Sequence, residues 1–103
     1  MKPETPLDRT GAATAVTEQP GQFTIEVDGR TVGLADYYDR DGWRVFPHTE
    51  VAPEYRGRGL ATILVAEALR RTRAEGLRVV PQCWMVADFV DKHPEYAAIT
   101  DRG

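Results

Sequence analysis

The stretch VAPEYRGRGLA, residues 51–61, marks the point where the periodicity of the sequence changes. Residues 43–51 alternate with the period of a β-strand, whereas apolar residues from Gly59 onward recur with the spacing of a helix. The first turn of a helix carries unpaired backbone N–H groups and the positive end of the helix dipole, so a glycine-bearing turn that leads into it is suited to bind an anion. The stretch therefore predicts a phosphate-binding loop, in which Gly57 and Gly59 permit close approach of the backbone.

A helix and a short strand are predicted after the loop. Gly76 is placed to end the helix, and residues 77–81 are nearly all apolar, which indicates a strand buried on both faces. Such a strand suits a parallel neighbour reached by a right-handed helical crossover. Residues 51–77 therefore predict a strand–helix–strand unit, whose helix has apolar residues at spacings of three to five: Leu60, Ile63, Leu64, Ala68 and Leu69.

Three strands are predicted before the loop, joined as an antiparallel meander. The alternation of residues 23–27 indicates the first, which ends at the tight turn Asp28-Gly29. The second begins at about Arg30, and residues 39–42 turn the chain into the third, residues 43–51. In the third strand, alternation predicts that Trp43, Val45, Pro47, Thr49 and Val51 share one face and that the other face carries Arg44, Phe46, His48 and Glu50.

The chain is long enough for one domain. Residues 1–22 are rich in Thr, Pro, Gly and Ala without apolar periodicity, so we expect a mobile tail that contributes little to the core. The folded domain is predicted to span residues 23–103. A composition of 42% hydrophobic and 28% charged residues is that of a globular protein, so disorder throughout the chain is not expected.

Charge and cysteine content argue against several classes of function. The net charge is −3 and the basic residues are scattered, so no broad basic face for nucleic acid is predicted. No apolar run is long enough for a signal peptide or a membrane span, and we expect a cytoplasmic protein. Cys83 is the single cysteine, and with only His48 and His93 beside it the sequence offers neither an internal disulfide nor a ligand set for a metal.

The loop differs from the two common nucleotide-binding motifs. Dinucleotide-binding folds need three glycines spaced G-x-G-x-x-G, and a P-loop ends in Gly-Lys-Ser/Thr. Residues 56–61, RGRGLA, instead resemble the pattern Arg/Gln-x-x-Gly-x-Gly/Ala of the GNAT N-acetyltransferases. The resemblance implies that the loop grips the pyrophosphate of acetyl-CoA, and it assigns cofactor binding to Val51, Arg56, Gly57, Arg58, Gly59, Leu60 and Ala61.

More narrowly, the chain resembles the small single-domain GNAT-like proteins. Three blocks carry this resemblance: residues 48–51 before the loop, residues 81–84 after the last core strand, and residues 92–96 near the end. It implies an α/β (α+β) fold, a GNAT-like mixed sheet in which an antiparallel meander is followed by a βαβ unit whose parallel strands are splayed around acetyl-CoA. We find no room for the N-terminal strand and helices that build the acceptor pocket in longer relatives, and Phe89 stands where a tyrosine acid would be expected.

The resemblance places three candidate catalytic residues at the ends of the two splayed strands, where one pocket would hold them. Cys83 would accept the acetyl group as a nucleophile if its thiol is activated, although a buried cysteine is often only a small apolar residue. His48 would take a proton from the attacking amine or activate Cys83, and the alternative is a hydrogen-bonded strand histidine. Glu50 would act as a base through a water, or else is a solvated acid at the strand end. We favour His48 as the base.

Two further groups are interpreted as structural. Residues 93–96 are predicted to form a turn that packs Tyr96 against the sheet. Arg70, Arg71 and Arg73 come late in the helix, where they either meet the 3′-phosphate of CoA or face solvent and the helix dipole. We favour the second interpretation for these arginines.

The sequence therefore predicts an enzyme, an N-acetyltransferase that transfers the acetyl group of acetyl-CoA to an amine of unknown identity, directly or through an acetyl-Cys83 intermediate. No metal is expected. The alternative is a non-catalytic acyl-CoA-binding or protein-interaction module that has kept the loop and lost the acceptor pocket. We expect a monomer or a weak homodimer, with neither a nucleic-acid nor a membrane partner.

Overall fold

The computed structural model describes residues 6–101 and shows one five-stranded mixed sheet with two α-helices. The strands are β1 (Thr14–Gln19), β2 (Gln22–Val27), β3 (Arg30–Arg40), β4 (Trp43–Val51) and β5 (Arg78–Val80). The helices are α1 (Leu60–Ala74) and α2 (Trp84–Lys92), and two short 3₁₀ helices span Pro53–Tyr55 and Pro94–Ile99. The strands follow one another across the sheet in the order β1-β2-β3-β4-β5.

The first four strands form an antiparallel meander with turns that the sequence predicts. Asp28 and Gly29 have φ values of 51° and 80°, and Asp41 and Gly42 have φ values of 52° and 85°. Positive φ at both central residues is typical of the type I′ turn, whose twist matches that of the flanking strands. The meander of β2, β3 and β4 is therefore confirmed, although β3 extends further than predicted and the second turn is shorter than residues 39–42.

The prediction that residues 1–22 form a mobile tail is wrong for the part that the structure describes. β1 lies within this range and pairs with β2 along its full length, so an N-terminal strand is present after all. In β1 only Thr14 is buried, because the strand lies at the edge of the sheet and is held by backbone hydrogen bonds. Such bonds leave no trace in the hydrophobic pattern on which the prediction relied. Residues 1–5 lie outside the described residues.

The predicted strand–helix–strand unit is confirmed. β5 lies parallel to β4 and is reached through α1. The helix ends where expected, because Gly76 has a φ of 76° and the next amide, Leu77 N, donates to Thr72 O at 3.1 Å. A left-handed glycine followed by such a backward hydrogen bond satisfies the last carbonyls of a helix.

A β-bulge in β4 changes which side chains share a face. His48 pairs with Asp36 of β3, but Val45 pairs with Tyr38, so Tyr37 alone stands opposite Phe46 and Pro47. An extra residue in one strand shifts the alternation of its side chains, and proline is tolerated there because it has no ladder hydrogen bond to donate. The prediction that His48 and Glu50 share a face with Phe46 is therefore wrong. Phe46, Thr49 and Val51 are buried, whereas His48 and Glu50 are exposed on the opposite face.

One hydrophobic core joins both helices to the buried face of the sheet. α1 contributes Leu64 and Leu69, which are fully buried, and α2 contributes Val86 and Phe89. Since both helices share this core with β2 to β5, the start of α1 and the start of α2 are held at fixed positions beside the end of β4.

A buried arginine fastens the end of α1 to the sheet. Arg44 of β4 is 2% exposed, and its guanidinium lies 2.7 Å from Asp39 Oδ1 and 3.0 Å from Glu75 Oε2. The same group lies over the ring of Tyr37, 4.3 Å from its centroid. Hydrogen bonding to Asp39 is the main cause that raises the pKa of Arg44, with Glu75 adding to it and burial opposing it.

Candidate functional site

The two parallel strands diverge, as the resemblance implied. β4 and β5 pair at three positions only, from Trp43 opposite Arg78 to Val45 opposite Val80. After β5 ends, Cys83 N donates to Phe46 O at 2.9 Å. Within residues 6–101 no later backbone hydrogen bond joins the chain after β5 to β4, so residues 47–51 of β4 border a gap.

The loop after β4 has the conformation of an anion-binding turn. The 3₁₀ helix Pro53–Tyr55 lies on the N-terminal side of the turn. Gly57 and Gly59, which follow it, have φ values of 81° and 80°. Left-handed residues alternating with ordinary ones turn successive amides toward one concavity, which is a recurrent way to bind phosphate. A Cβ on Gly57 would meet no atom within 4 Å, so its backbone conformation, and not lack of space, requires glycine there.

The amides of this loop are available to a ligand. The backbone N–H groups of residues 57–62 donate no hydrogen bond to any residue between Pro6 and Asp101. The first helical bond of α1 runs from Ile63 N to Gly59 O at 3.2 Å. A helix start with unpaired donors and no side-chain cap is expected to take its acceptors from water or an anion. The loop is called the phosphate cradle below, residues 56–61.

The two arginines of the phosphate cradle differ in their surroundings. The side chain of Arg56 is exposed and makes no hydrogen bond or ion pair with any other described residue. The Arg58 guanidinium, by contrast, donates from Nε to Asp8 Oδ2 at 2.7 Å and lies 4.8 Å from the centroid of the Tyr55 ring. The partner Asp8 lies in the range that the sequence analysis assigned to a tail, so this contact was missed.

A cavity of about 270 Å³ lies between the first turns of α1 and the exposed side of α2. Trp84 stands at its rim with 71% of its surface exposed. His93 closes the far end, stacked on Phe89 with ring centroids 3.9 Å apart, and its Nδ1 donates to Phe89 O at 2.8 Å. The structural interpretation of residues 93–96 is consistent with this stacking and with the burial of Tyr96. The cavity adjoins the phosphate cradle through Ala61 and Thr62.

Thr49 has a buried hydroxyl without a partner. It is 4% exposed, and its Oγ1 receives or donates no hydrogen bond among the described residues. A buried hydroxyl left unpaired costs about 1 to 3 kcal/mol, so such groups usually have an unseen partner. Thr49 lies in the diverging part of β4, on the buried face, where a ligand in the gap would supply that partner.

His48 and Glu50 are brought together as expected. His48 Nε2 lies 2.7 Å from Glu50 Oε1, and the side chains are 54% and 58% exposed. Because a carboxylate accepts hydrogen bonds, Nε2 carries the hydrogen, and in the neutral form of the ring the lone pair is at Nδ1. Asp36 of β3 stands opposite His48 and accepts a bond from Gln22 Nε2 at 3.0 Å.

The structure does not bring Cys83 to this pair. Cys83 is buried in the hydrophobic core, whereas His48 and Glu50 lie on the exposed face of β4. No hydrogen bond links its thiol to either residue in the part of the chain that is described. The expected helix does start at Trp84, and Cys83 O accepts bonds from the amides of its first turn.

The late arginines of α1 are engaged within the protein. Arg70 and Arg71 each lie 2.7 Å from the carboxylate of Glu67, and Arg73 lies over the ring of Tyr96. Hydrogen bonding to Arg70, followed by Arg71, lowers the pKa of Glu67 to about 2. These contacts support the interpretation that the arginines are structural.

The fold and the phosphate cradle together define the GNAT class, a mixed sheet whose parallel strands diverge next to a glycine-bearing helix start. A sequence profile of the GCN5-related N-acetyl-transferase family matches residues 22–99, and the chain belongs to this family. Among curated proteins, Protein NATD1 of Bos taurus is 37% identical over 75 residues, which are 71% of this chain and 66% of that protein. The chain thus spans slightly less than two thirds of the length of that relative.

Two solved structures show the same fold. A GCN5-like protein from Staphylococcus aureus superposes with a TM-score of 0.66 at 18% identity, over 84% of this chain and 87% of that chain. The aminoglycoside N-acetyltransferase AAC(6')-Iy, solved in complex with CoA, superposes with a TM-score of 0.51 at 21% identity, over 79% of this chain and 59% of that chain. No helix between Pro6 and Asp101 is long and apolar enough to cross a membrane.

Proposed function

We propose that this protein is an acetyl-CoA-dependent N-acetyltransferase in which the phosphate cradle binds the diphosphate of the coenzyme and His48 serves as the base. The observation that carries the proposal is the row of amides at residues 57–62, which have no acceptor among residues 6–101 and lie at the start of a helix beside a gap between parallel strands. The related fold solved with CoA supports the same ligand. Acetyl-CoA supplies an activated acyl thioester when bound.

The diphosphate fits the phosphate cradle for electrostatic reasons. Several amides of the cradle and the dipole of α1 favour negative charge at the same place. Arg56 is exposed and unpaired among the described residues, so it is able to reach a phosphate oxygen without breaking another contact. The residues assigned to cofactor binding are Val51 at the end of β4 and residues 56–61, with the 3₁₀ helix Pro53–Tyr55 between them.

The gap beside β4 suits the pantetheine arm. Thr49 Oγ1 lies buried on this segment with no partner between residues 6 and 101, and an amide or thioester carbonyl of the arm would be its acceptor. The cavity that adjoins Ala61 and Thr62 extends the binding surface with apolar side chains from α2. A polar group for orientation beside an apolar wall is the usual make-up of a cofactor site.

The acid–base chemistry is assigned to His48 and Glu50. The amine acceptor must lose a proton before or as it attacks the thioester, and the lone pair on His48 Nδ1 takes that proton. The amine nitrogen then bonds to the acetyl carbon as the carbon–sulfur bond breaks, and coenzyme A leaves as the thiol with the second proton of the amine. Glu50 holds the ring through Nε2 and stabilises the imidazolium that results. Because Cys83 is buried and no base in the described part of the chain is bonded to its thiol, we propose direct transfer to the amine, without an acetyl-Cys83 intermediate.

The test is calorimetric titration with coenzyme A combined with an assay of CoA thiol release from acetyl-CoA and a panel of primary amines. We expect His48→Ala to lower turnover about 100-fold, the scale of general base catalysis, with CoA affinity unchanged. Thr17→Ala, on the same exposed face at the far side of the sheet, is the control and is expected to keep full turnover.

Three outcomes would contradict parts of this proposal. Absence of CoA binding at millimolar concentration would refute the site itself. Binding with equal background turnover in wild type and His48→Ala would favour a non-catalytic acyl-CoA-binding module. A stable acetyl adduct on Cys83, found by mass spectrometry, together with loss of turnover in Cys83→Ala, would favour the two-step route.

A further inference from the structure

A compact turn in the N-terminal segment, residues 7–13, is built around one carboxylate. Asp8 Oδ1 accepts hydrogen bonds from Thr10 N at 2.8 Å, from Thr10 Oγ1 at 2.7 Å and from Ala12 N at 3.0 Å. The side chain of Asp8 is fully buried within these partners. Three donors on one oxygen fix the backbone of this turn, so the residue between Asp8 and Thr10 has a defined position.

This turn is attached to the phosphate cradle mainly through Arg58. Arg9 N donates to Arg58 O at 2.9 Å. In return, Arg58 donates from Nε to Asp8 Oδ2 at 2.7 Å and from Nη2 to Thr10 Oγ1 at 3.1 Å. One backbone bond and two Arg58 side-chain bonds, to Asp8 and to Thr10, thus hold together two segments that are far apart in sequence.

The side chain of Arg9 extends along the cradle. A Cβ placed on Gly59 would lie 3.5 Å from Arg9 Nε and 3.6 Å from Arg9 Cγ, so the arginine stem runs past the glycine that caps α1. Its Nη1 is 3.4 Å from Gly57 O, near the limit for a hydrogen bond. Arg9 is exposed and pairs with no carboxylate among residues 6–101. Within the described residues, a guanidinium without a carboxylate partner therefore borders amides that have no acceptor.

We propose that Arg9 is a phosphate-binding residue of the cradle, positioned by the Asp8 turn and contributed from outside the family motif. The inference rests on the proposed function. Asp8 neutralises Arg58, so the charge that faces the ligand on this side comes from Arg9. Its guanidinium offers paired donors to the oxygens of one phosphate group, either the diphosphate of the coenzyme or its 3′-phosphate.

The experiment measures Kd by calorimetry for coenzyme A, 3′-dephospho-CoA and unphosphorylated pantetheine. The proteins are wild type, Arg9→Lys, Arg9→Ala and Arg9→Glu, with Arg40→Ala as the control at an exposed hairpin arginine. A charge-assisted hydrogen bond contributes about 1.5 kcal/mol or more, so Arg9→Ala is expected to raise the Kd for coenzyme A about tenfold or more. Arg9→Lys should retain part of the affinity, Arg9→Glu should lose more than alanine, and pantetheine should not discriminate among the variants.

The comparison of ligands identifies the phosphate that Arg9 contacts, and it separates failure of the Arg9 inference from failure of the proposed function. A loss for coenzyme A that is absent for 3′-dephospho-CoA assigns Arg9 to the 3′-phosphate, and an equal loss for both assigns it to the diphosphate. Unchanged coenzyme A affinity in Arg9→Ala and Arg9→Glu overturns the inference while leaving the cradle intact. If wild type itself does not bind, the proposed function fails. Thermal unfolding of each variant checks folding, and the lysine variant keeps the stem along Gly59 if alanine disturbs it.

Discussion

At the scale of single residues, the Thr49 hydroxyl is expected to lower the stability of the fold and to favour the binding of a ligand. Its hydroxyl is buried and lacks a partner among residues 6–101, so the protein bears a cost that a ligand in the gap between β4 and β5 would remove. His48 and Glu50 differ from it because solvent satisfies them whether or not a ligand is present.

Replacing Thr49 by valine is expected to affect stability and binding in opposite directions. Valine has nearly the same shape and removes the unpaired hydroxyl, so the free energy of unfolding of the ligand-free protein should rise by about 1 kcal/mol. Affinity for acetyl-CoA should fall several-fold, since a hydrogen bond to the ligand is lost. Chemical denaturation and calorimetry measure the two effects. Thr17→Val, at an exposed position of β1, is the control, and a variant that is both less stable and equally tight in binding would contradict the argument.

At the scale of elements, the N-terminal segment packs against the phosphate cradle and holds it through hydrogen bonds. Hydrogen bonding from the Thr10 hydroxyl is the largest cause that lowers the pKa of Asp8 from 3.8 to about 2, joined by the amides of Ala12 and Thr10 and by Arg58, while burial opposes them. A carboxylate whose pKa is lower in the folded state stabilises the protein when it is ionised.

The variant Asp8→Asn is therefore expected to lower the melting temperature, with a defined pH dependence. The stabilisation by Asp8 is fully present above its unfolded pKa of 3.8 and is lost as pH falls through the folded value of about 2. The difference in melting temperature between wild type and variant should be constant near neutrality and shrink between about pH 4 and pH 2. Asp28→Asn, in the β2–β3 turn, is the control. A difference that stays constant down to pH 2 would show that the charge of Asp8 is not responsible.

The elements also show what the sequence can predict. The β2–β3–β4 meander is marked by Asp-Gly turns, and the cradle and α1 by a change of period, so local signals are enough for them. β1 was missed because an edge strand is held by backbone bonds, and the bulge at Pro47 was missed because alternation cannot show where a strand gains a residue. Arg9 and Asp8 meet Arg58 only in the folded chain, so no local pattern could place them at the site.

At the scale of the whole molecule, one sheet separates two kinds of site. The cradle, Thr49 and the cavity beside α2 belong to the side covered by the helices, and the pair His48–Glu50 belongs to the exposed face. The gap between β4 and β5 is the place where both sides meet. For the proposed binding as well as for stability, the position of α1 relative to β4 would therefore matter, and Arg44 is a polar link between them.

Arg44→Ala is expected to destabilise the protein by about 3 kcal/mol or more, because it removes one partner of a buried ion pair and also the packing on Tyr37. The expected secondary effect is weaker coenzyme A binding, since the end of α1 loses this polar contact with the sheet while its apolar packing remains. Denaturant unfolding and calorimetry measure these effects. The control is Arg40→Ala, since Arg40 is 77% exposed and is expected to change stability by less than about 0.5 kcal/mol. Equal free energies of unfolding for the two variants would contradict the claim that Arg44 stabilises the fold.

The bulge at Phe46 and Pro47 sets the phase of the strand that follows it. Deleting one residue there would remove the bulge and restore regular alternation, and His48 would still pair with Asp36. His48 and Glu50 would therefore stay on the exposed face, and Thr49 and Val51 would stay on the buried face. A codon lost at this point is thus absorbed by the ladder, whereas straightening the strand with both residues present would turn His48 and Glu50 toward the hydrophobic interior.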